Sequence, residues 1–256
     1  MLRLTILILS VVVVLPFPIS LSAQQRGADR HAPWGYSGAE GPEHWGDLDP
    51  DYAACKTGTQ QSPIDIEGAR SADLPPIHFD YQVSPLKVTN NGHTIQVNYD
   101  PGSTMTVGDK QYSLVQFHFH HPSEEEINGK RFDLAAHLVH KDAQGHFAVL
   151  TVLFQSGQTN PFLALLWKNV PKETGKEVAN KKINLNVADL LPANRRYYAF
   201  TGSLTAPPCT EGVTWYVLEN PVELSPSEID AFAKWYPDNA RPIQPRNGRE
   251  ILKSSK

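Results

Sequence analysis

The segment Gln116-Phe117-His118-Phe119-His120 alternates polar and aromatic residues at period two. In a strand that period puts Gln116, His118 and His120 on one face and both phenylalanines on the other. After the turn-bearing stretch Pro122 to Arg131, the run Leu134 to His140 reads as a returning strand, with His137 and Val139 on one face and His140 on the opposite one. A neighbouring strand brings His137 beside the first two histidines. Three neutral nitrogen donors with an open fourth position are the donor set of a catalytic rather than a structural zinc site. An H-x-H pair alone is weak evidence, since histidines on the surface or packed in a core are the ordinary alternative. The ratio of ten His to two Cys and two Met, the most uneven in the composition, points toward a metal.

These histidines need a sheet to hold them. Strand-like runs are expected at His78 to Tyr81, Leu86 to Asn90, Thr94 to Tyr99, Met105 to Val107, Gln111 to His120, Asp133 to His140, Ala148 to Phe154, Tyr197 to Ser203 and Val213 to Leu218. Turn signals such as Asn91-Gly92, Pro101-Gly102 and Asn128-Gly129 separate them. Helices are few. Asn160-Pro161 opens one that runs to about Lys168, and Ser225-Pro226-Ser227-Glu228 reads as a capping box for a second, ending near Tyr236. The stretch Gln24 to Asp51 carries Trp34, Tyr36 and Trp45 without a helical or strand period, and is expected to lie over the body as an ordered arm. The expected fold is therefore mainly β with few short helices: a single domain on a large, twisted, mostly antiparallel sheet.

The chain has 256 residues, 40% hydrophobic and 20% charged, which fits a globular protein. A net charge of −4 leaves no basic excess for a nucleic-acid partner. Residues 1–23 have the layout of a secretory signal peptide: Arg3, an apolar run from Leu4 to Leu15, then Pro16, Pro18 and small residues up to Ala23. That run is too short for a stable membrane span. Cleavage after Ala23 leaves residues 24–256 as one domain, exported to an oxidising space. In an oxidising space Cys55 and Cys209 most simply form one disulfide, with two free buried thiols as the alternative. Such a bridge would stabilise by about 5 kcal/mol at most on the chain-entropy model. Cys209 follows shortly after Thr205, so the bridge would also hold that loop.

Beyond the histidines, the chain carries Trp34-Gly35-Tyr36, Gly41-Pro42-Glu43-His44-Trp45, Gln61 to Ile66, Asn90-Asn91-Gly92-His93, Gln116 to His120, Ser123-Glu124, His137 to His140, Gly202 to Thr205 with Pro207-Pro208, and Val213-Thr214-Trp215. In these ordered segments, from Trp34 to about Ile251, it resembles the α-class carbonic anhydrases, and the signal sequence and cysteine pair resemble their secreted bacterial branch. It implies reversible hydration of carbon dioxide to bicarbonate and a proton. Its Zn(2+) cofactor would be held by His118, His120 and His137 and would lower the pKa of a bound water to about 7, a magnitude established for carbonic anhydrase itself. Gln116 would accept from the second nitrogen of His118. Thr205 would accept a hydrogen bond from the metal's oxygen ligand and donate to ionised Glu124. Val139, Val149, Leu204, Val213 and Trp215 would form an apolar wall for carbon dioxide. His93 would be the proton shuttle, with Tyr36, Asn91 and Gln96 ordering the waters between. Sulfonamide and anion inhibitors are implied ligands, and secreted bacterial members imply a homodimer.

Three positions depart from the family pattern. Where a Glu usually accepts from the free nitrogen of the third ligand, two residues before it, this chain has Ala135. The expectation is zinc affinity lower on the order of 10- to 100-fold unless another group substitutes. Glu125 stands in place of a His, and its carboxylate is expected to raise the pKa of one member of the Glu124/Glu125 pair. Ala206 stands in place of a Thr. The rival readings are a silent binding module, which would usually lack one of the histidines, and a secreted zinc hydrolase, for which no H-E-x-x-H is present.

Overall fold

The computed structural model describes residues 31–255, so the expected signal peptide lies outside the described residues. Ten strands follow one another by hydrogen bonding through a 13-stranded sheet. Their order is Glu177–Leu185, Ser84–Asn90, Ile95–Asn98, Lys110–His120, Leu134–Lys141, Phe147–Ser156, Glu211–Leu218, Tyr197–Ser203, Leu252–Ser254 and Arg70–Ala72. Pairing along this path is antiparallel except between Phe147–Ser156 and Glu211–Leu218 and between Leu252–Ser254 and Arg70–Ala72. All nine expected strands form, within a residue or two at most ends. Strand Glu177–Leu185 was not expected. It is a lysine-bearing edge with a register irregularity between Asn180 and Asn184, and its exposed residues give no clean apolar alternation.

The sheet carries apolar residues on both faces. One face packs Phe117, Phe119, Leu138, Leu150 and Tyr216 against the helices Pro161–Trp167 and Pro226–Ala233, through Phe162, Leu163, Leu166, Trp167 and Phe232. The other carries Val139, Val149, Leu153, Val213 and Trp215. Period-two alternation in the central strands therefore sorts histidines and phenylalanines to opposite sides.

Both helix starts follow their side chains. Asn160 Oδ1 accepts from the N–H groups of Phe162 and Leu163, and Ser225 with Glu228 forms the capping box. The second helix ends at Ala233, short of the expected Tyr236, because Trp235 and Tyr236 both donate to the Phe232 carbonyl in a tightened turn before Pro237. The described part of the aromatic arm forms single turns at Gly38–Glu40, Trp45–Leu48 and Pro50–Tyr52, each too short to show a period. Trp45 anchors it: buried, its indole N–H is shared between the carbonyls of Gly35 at 2.8 Å and Glu40 at 3.0 Å.

Candidate active site

Strand register builds the site in two adjacent rows. His118 pairs with Gln96 on one side and His137 on the other, and His137 pairs in turn with Thr151. One step along, Asn98, Gln116, Val139, Val149, Trp215 and Phe200 form a parallel row. Polar ligands and apolar wall therefore lie side by side on one face. Ring centroids are 5.0 Å apart for His118 and His120, 5.5 Å for His118 and His137, and 4.6 Å for His120 and His137.

Each imidazole spends one nitrogen on a protein acceptor. His118 Nδ1 meets Gln116 Oε1 at 2.9 Å, and His120 Nδ1 meets the Asn239 carbonyl at 2.8 Å. His137 Nε2 lies 3.0 Å from Glu125 Oε1 and 3.2 Å from Oε2. That leaves His118 Nε2, His120 Nε2 and His137 Nδ1 for a metal, and the triad brings one ligand nitrogen from each residue within 4.8 Å of the others. His120 Nε2 is a buried nitrogen with no hydrogen-bond partner among the described residues, which leaves its lone pair available to a metal. The donor set fits zinc: three imidazoles and no thiolate.

Electrostatics separates the three. Burial, with the other imidazoles adding to it, lowers His118 to about 3 and holds His120 well below its ordinary value, so both are neutral donors at pH 7. Burial lowers His137 too, but the Glu125 charge and hydrogen bond together with the Glu124 charge outweigh it and the net shift is upward. Glu124 is raised to about 7 by burial. His137 opposes that rise, Glu125 adds to it, and hydrogen bonds from Thr205 and from the Arg241 N–H, at 2.8 Å, pull the other way. The expected mutual effect of the paired carboxylates is thus present at Glu124. A cation held by the triad would add positive charge beside Glu124 and favour its ionised form.

Thr205 is buried at the edge of a cavity of about 250 Å³, which is lined by Gln116, His118, His137, Val139, Phe147, Val149, Leu204, Thr205, Ala206, Pro207 and Trp215. Four of the five expected wall residues line it. Val213 packs in the apolar cluster shared with Val139 and Trp215 and does not line the cavity. Phe147, Ala206 and Pro207 complete the lining and were not anticipated. A larger groove of about 540 Å³, bordered by Tyr197, Thr201 and Arg249, contains none of the histidines.

The Thr205 loop is tied down from several sides. Cys55 and Cys209 are bridged across 154 residues, and the Cys209 N–H donates to the Ala206 carbonyl. Gln61 Nε2 donates to the Cys209 carbonyl, and the buried Arg241 guanidinium donates to Gln61 Oε1 and to the carbonyls of Ser62 and Cys55. The same Arg241 donates its N–H to Glu124. Gly202 is required here because a Cβ would come within 2.1 Å of Ser62 Oγ, which accepts from the Ser203 N–H.

His93 lies half-buried, its ring stacked on Trp34 at 3.8 Å with an interplanar angle of 8°. Burial lowers its pKa from the usual 6.5. Asn91 Oδ1 accepts from the N–H groups of His93 and Thr94, Asn91 Nδ2 donates to Gln96, and Gln96 donates to Asn98. Tyr36 packs edge-on to Trp34 and Trp45, and its hydroxyl is held well above its usual pKa by burial and the charge of Glu124.

Three residues that hold this site escaped sequence reading: Glu125 as a partner of His137, Asn239 and Trp34. Glu125 and Asn239 come from segments distant in sequence from their partners, so no local spacing signals them. Trp34 sits in an arm without periodicity.

Comparison with known proteins agrees with this geometry. The model of the eukaryotic-type carbonic anhydrase family matches residues 40–255. A carbonic anhydrase of Nostoc sp. is 42% identical over 229 residues, 86% of each chain, and one of Pectobacterium carotovorum is 44% identical over 220 residues, 86% of this chain and 90% of that one. The α-carbonic anhydrase of Thermovibrio ammonificans, solved with the inhibitor sulfanilamide, superposes with a TM-score of 0.83 at 47% identity, covering 86% of this chain and 99% of that one. A family match over most of the chain, set against a sheet that gathers three histidines beside an apolar wall, makes this chain a member of the α-class carbonic anhydrase family of lyases.

Proposed function

We propose that this enzyme hydrates carbon dioxide reversibly to bicarbonate and a proton, with Zn(2+) held by His118, His120 and His137. The observation that carries the reading is the pairing of each imidazole with its own acceptor, which turns the other three nitrogens toward one point beside an apolar cavity. Zinc bound there supplies Lewis acidity that makes water nucleophilic near neutral pH. Carbon dioxide has no net charge or dipole, so Val139, Val149, Leu204 and Trp215 hold it by dispersion and shape. Thr205 donates to Glu124, which leaves its oxygen to accept from the nucleophile and aim a lone pair at the wall. His93 carries the released proton to buffer, with Tyr36, Asn91 and Gln96 as the polar side of the path.

Residues 1–23 are proposed as a cleaved signal peptide and residues 24–256 as the catalytic domain, placing the enzyme in the periplasm or outside the cell. Among the described residues no helix is long and apolar enough to cross a membrane. Sulfonamide and anion inhibitors are proposed as ligands of the metal, and the active form as a homodimer. Stopped-flow hydration in dye-coupled buffer tests the central reading. The expected result is a zinc-dependent rate that a strong chelator or His120→Ala reduces to background. A metal-free enzyme with undiminished rate would overturn it.

A further inference from the structure

The acceptor for His137 does not come from its own strand. The residue two positions earlier on the same face is Ala135, fully buried and without a polar atom. Both oxygens of Glu125, from the segment that follows the strand Lys110–His120, instead reach His137 Nε2, at 3.0 and 3.2 Å. Glu125 is itself fully buried, and its Oε1 also accepts from the Thr151 hydroxyl at 3.3 Å, the residue opposite His137 in the next strand. The backbone carbonyl of Glu125 accepts from Ser123 Oγ at 2.8 Å, which fixes the turn that delivers the carboxylate.

We propose that Glu125 is the positioning residue of the third metal ligand and compensates for Ala135. The inference rests on the reading of the triad as a metal site. A carboxylate accepting from Nε2–H fixes the tautomer whose lone pair is on Nδ1, and it orients the ring. Thr151 steadies the carboxylate, so ring, carboxylate and hydroxyl form a continuous buried chain. The low zinc affinity expected from Ala135 therefore does not follow. A Glu at position 135 would bring a second carboxylate toward the same buried space.

Zinc dissociation constants, measured by competition with a chromophoric chelator on the full folded enzyme, test this. Glu125→Gln is expected to weaken zinc about tenfold and Glu125→Ala about 100-fold. Moving the carboxylate back to the strand, with Glu125→Ala combined with Ala135→Glu, is expected to recover most of that loss. Nitrogen-15 spectra of the metal-free wild type, recorded at a pH high enough for His137 to be neutral, should place its single proton on Nε2, a readout that needs no variant to fold. Zinc binding by wild type together with unchanged affinity in folded Glu125→Gln, or a neutral His137 with its proton on Nδ1, would overturn the proposal alone. Failure of wild type to bind zinc would overturn the metal-site reading and this inference with it.

Discussion

The buried floor of the cleft and its rim hold histidines by different physics. On the floor, His120 and His137 are 2% and 1% exposed, and each triad imidazole has a nitrogen committed to an acceptor from another residue. Beyond the residues that line the cavity, at a rim joined to the floor through Asn239, His93 is half-buried and rests its ring flat on Trp34. Hydrogen bonds are directional and fix which nitrogen carries the proton, which suits a ligand. Stacking restrains the plane of a ring while leaving its edge nitrogens to water, which suits a group that gains and loses protons.

Asn239 belongs to both regions, so it offers the largest way to break the contrast. Its carbonyl accepts from His120, its Oδ1 accepts from the His121 N–H, and its Nδ2 donates to the carbonyls of His93 and Phe119. Asn239, only 1% exposed, is the partner of the His121 N–H and of the His93 carbonyl, and Asn239→Ala leaves both without it, while the Phe119 carbonyl keeps the Thr94 hydroxyl. Each such group costs on the order of 1–3 kcal/mol, so about 2 kcal/mol or more of stability should be lost. Chemical denaturation of the zinc-loaded protein measures this, and zinc affinity should fall with it. A stability within about 0.5 kcal/mol of wild type would mean that floor and rim are independent.

Much of the floor was legible from sequence because period two sorts faces: His118, His120, His137, Val139 and Gln116 lie where alternation puts them. The same rule correctly sent His140 to the opposite face, where it is fully buried. What alternation cannot reveal is a contact between segments with no shared period. Glu125 reaches His137 from a turn, and Asn239 reaches His120 from an irregular stretch after the last helix. Ala135 offers no acceptor, as its sequence position implies, and the contact that reaches His137 comes instead from a loop that no strand period points to. The disulfide was legible by elimination, whereas the Gln61 and Arg241 contacts that make it part of the Thr205 loop needed the fold.

His140 sharpens the contrast by showing what burial does without a nearby carboxylate. Tyr81 donates to its Nε2 at 2.9 Å, Nδ1 donates to the Leu138 carbonyl at 2.8 Å, and burial drives its pKa to about 4. The unfolded chain takes up a proton at its ordinary pKa near 6.5 and the folded protein resists until about 4, so U binds more protons in that window and stability falls with falling pH. The difference is worth at most about 3 kcal/mol, fully lost only below pH 4. Denaturation midpoints of wild type and His140→Gln from pH 7.5 to 4 should show a shallower slope in the variant. Parallel slopes would mean that His140 takes up its proton at nearly the same pH folded and unfolded.

The smallest effect belongs to the rim. If His93 carries the proton as proposed, it must be neutral to accept it, and since burial lowers its pKa the maximal rate in weak buffer should rise with pH through a midpoint below 6.5. Trp34→Ala removes the ring that covers one face of the imidazole. The exposed His93 should then titrate nearer 6.5, which moves the midpoint upward and lowers the rate at pH 6 by a few-fold while leaving it nearly unchanged at pH 8. His93→Ala should abolish the weak-buffer midpoint and lose about tenfold in rate, recovered in part by added imidazole. If instead Trp34→Ala lowers the rate equally at both pH values, the indole acts by holding the ring in place, and stacking on the rim then works as rigidly as the hydrogen bonds of the floor.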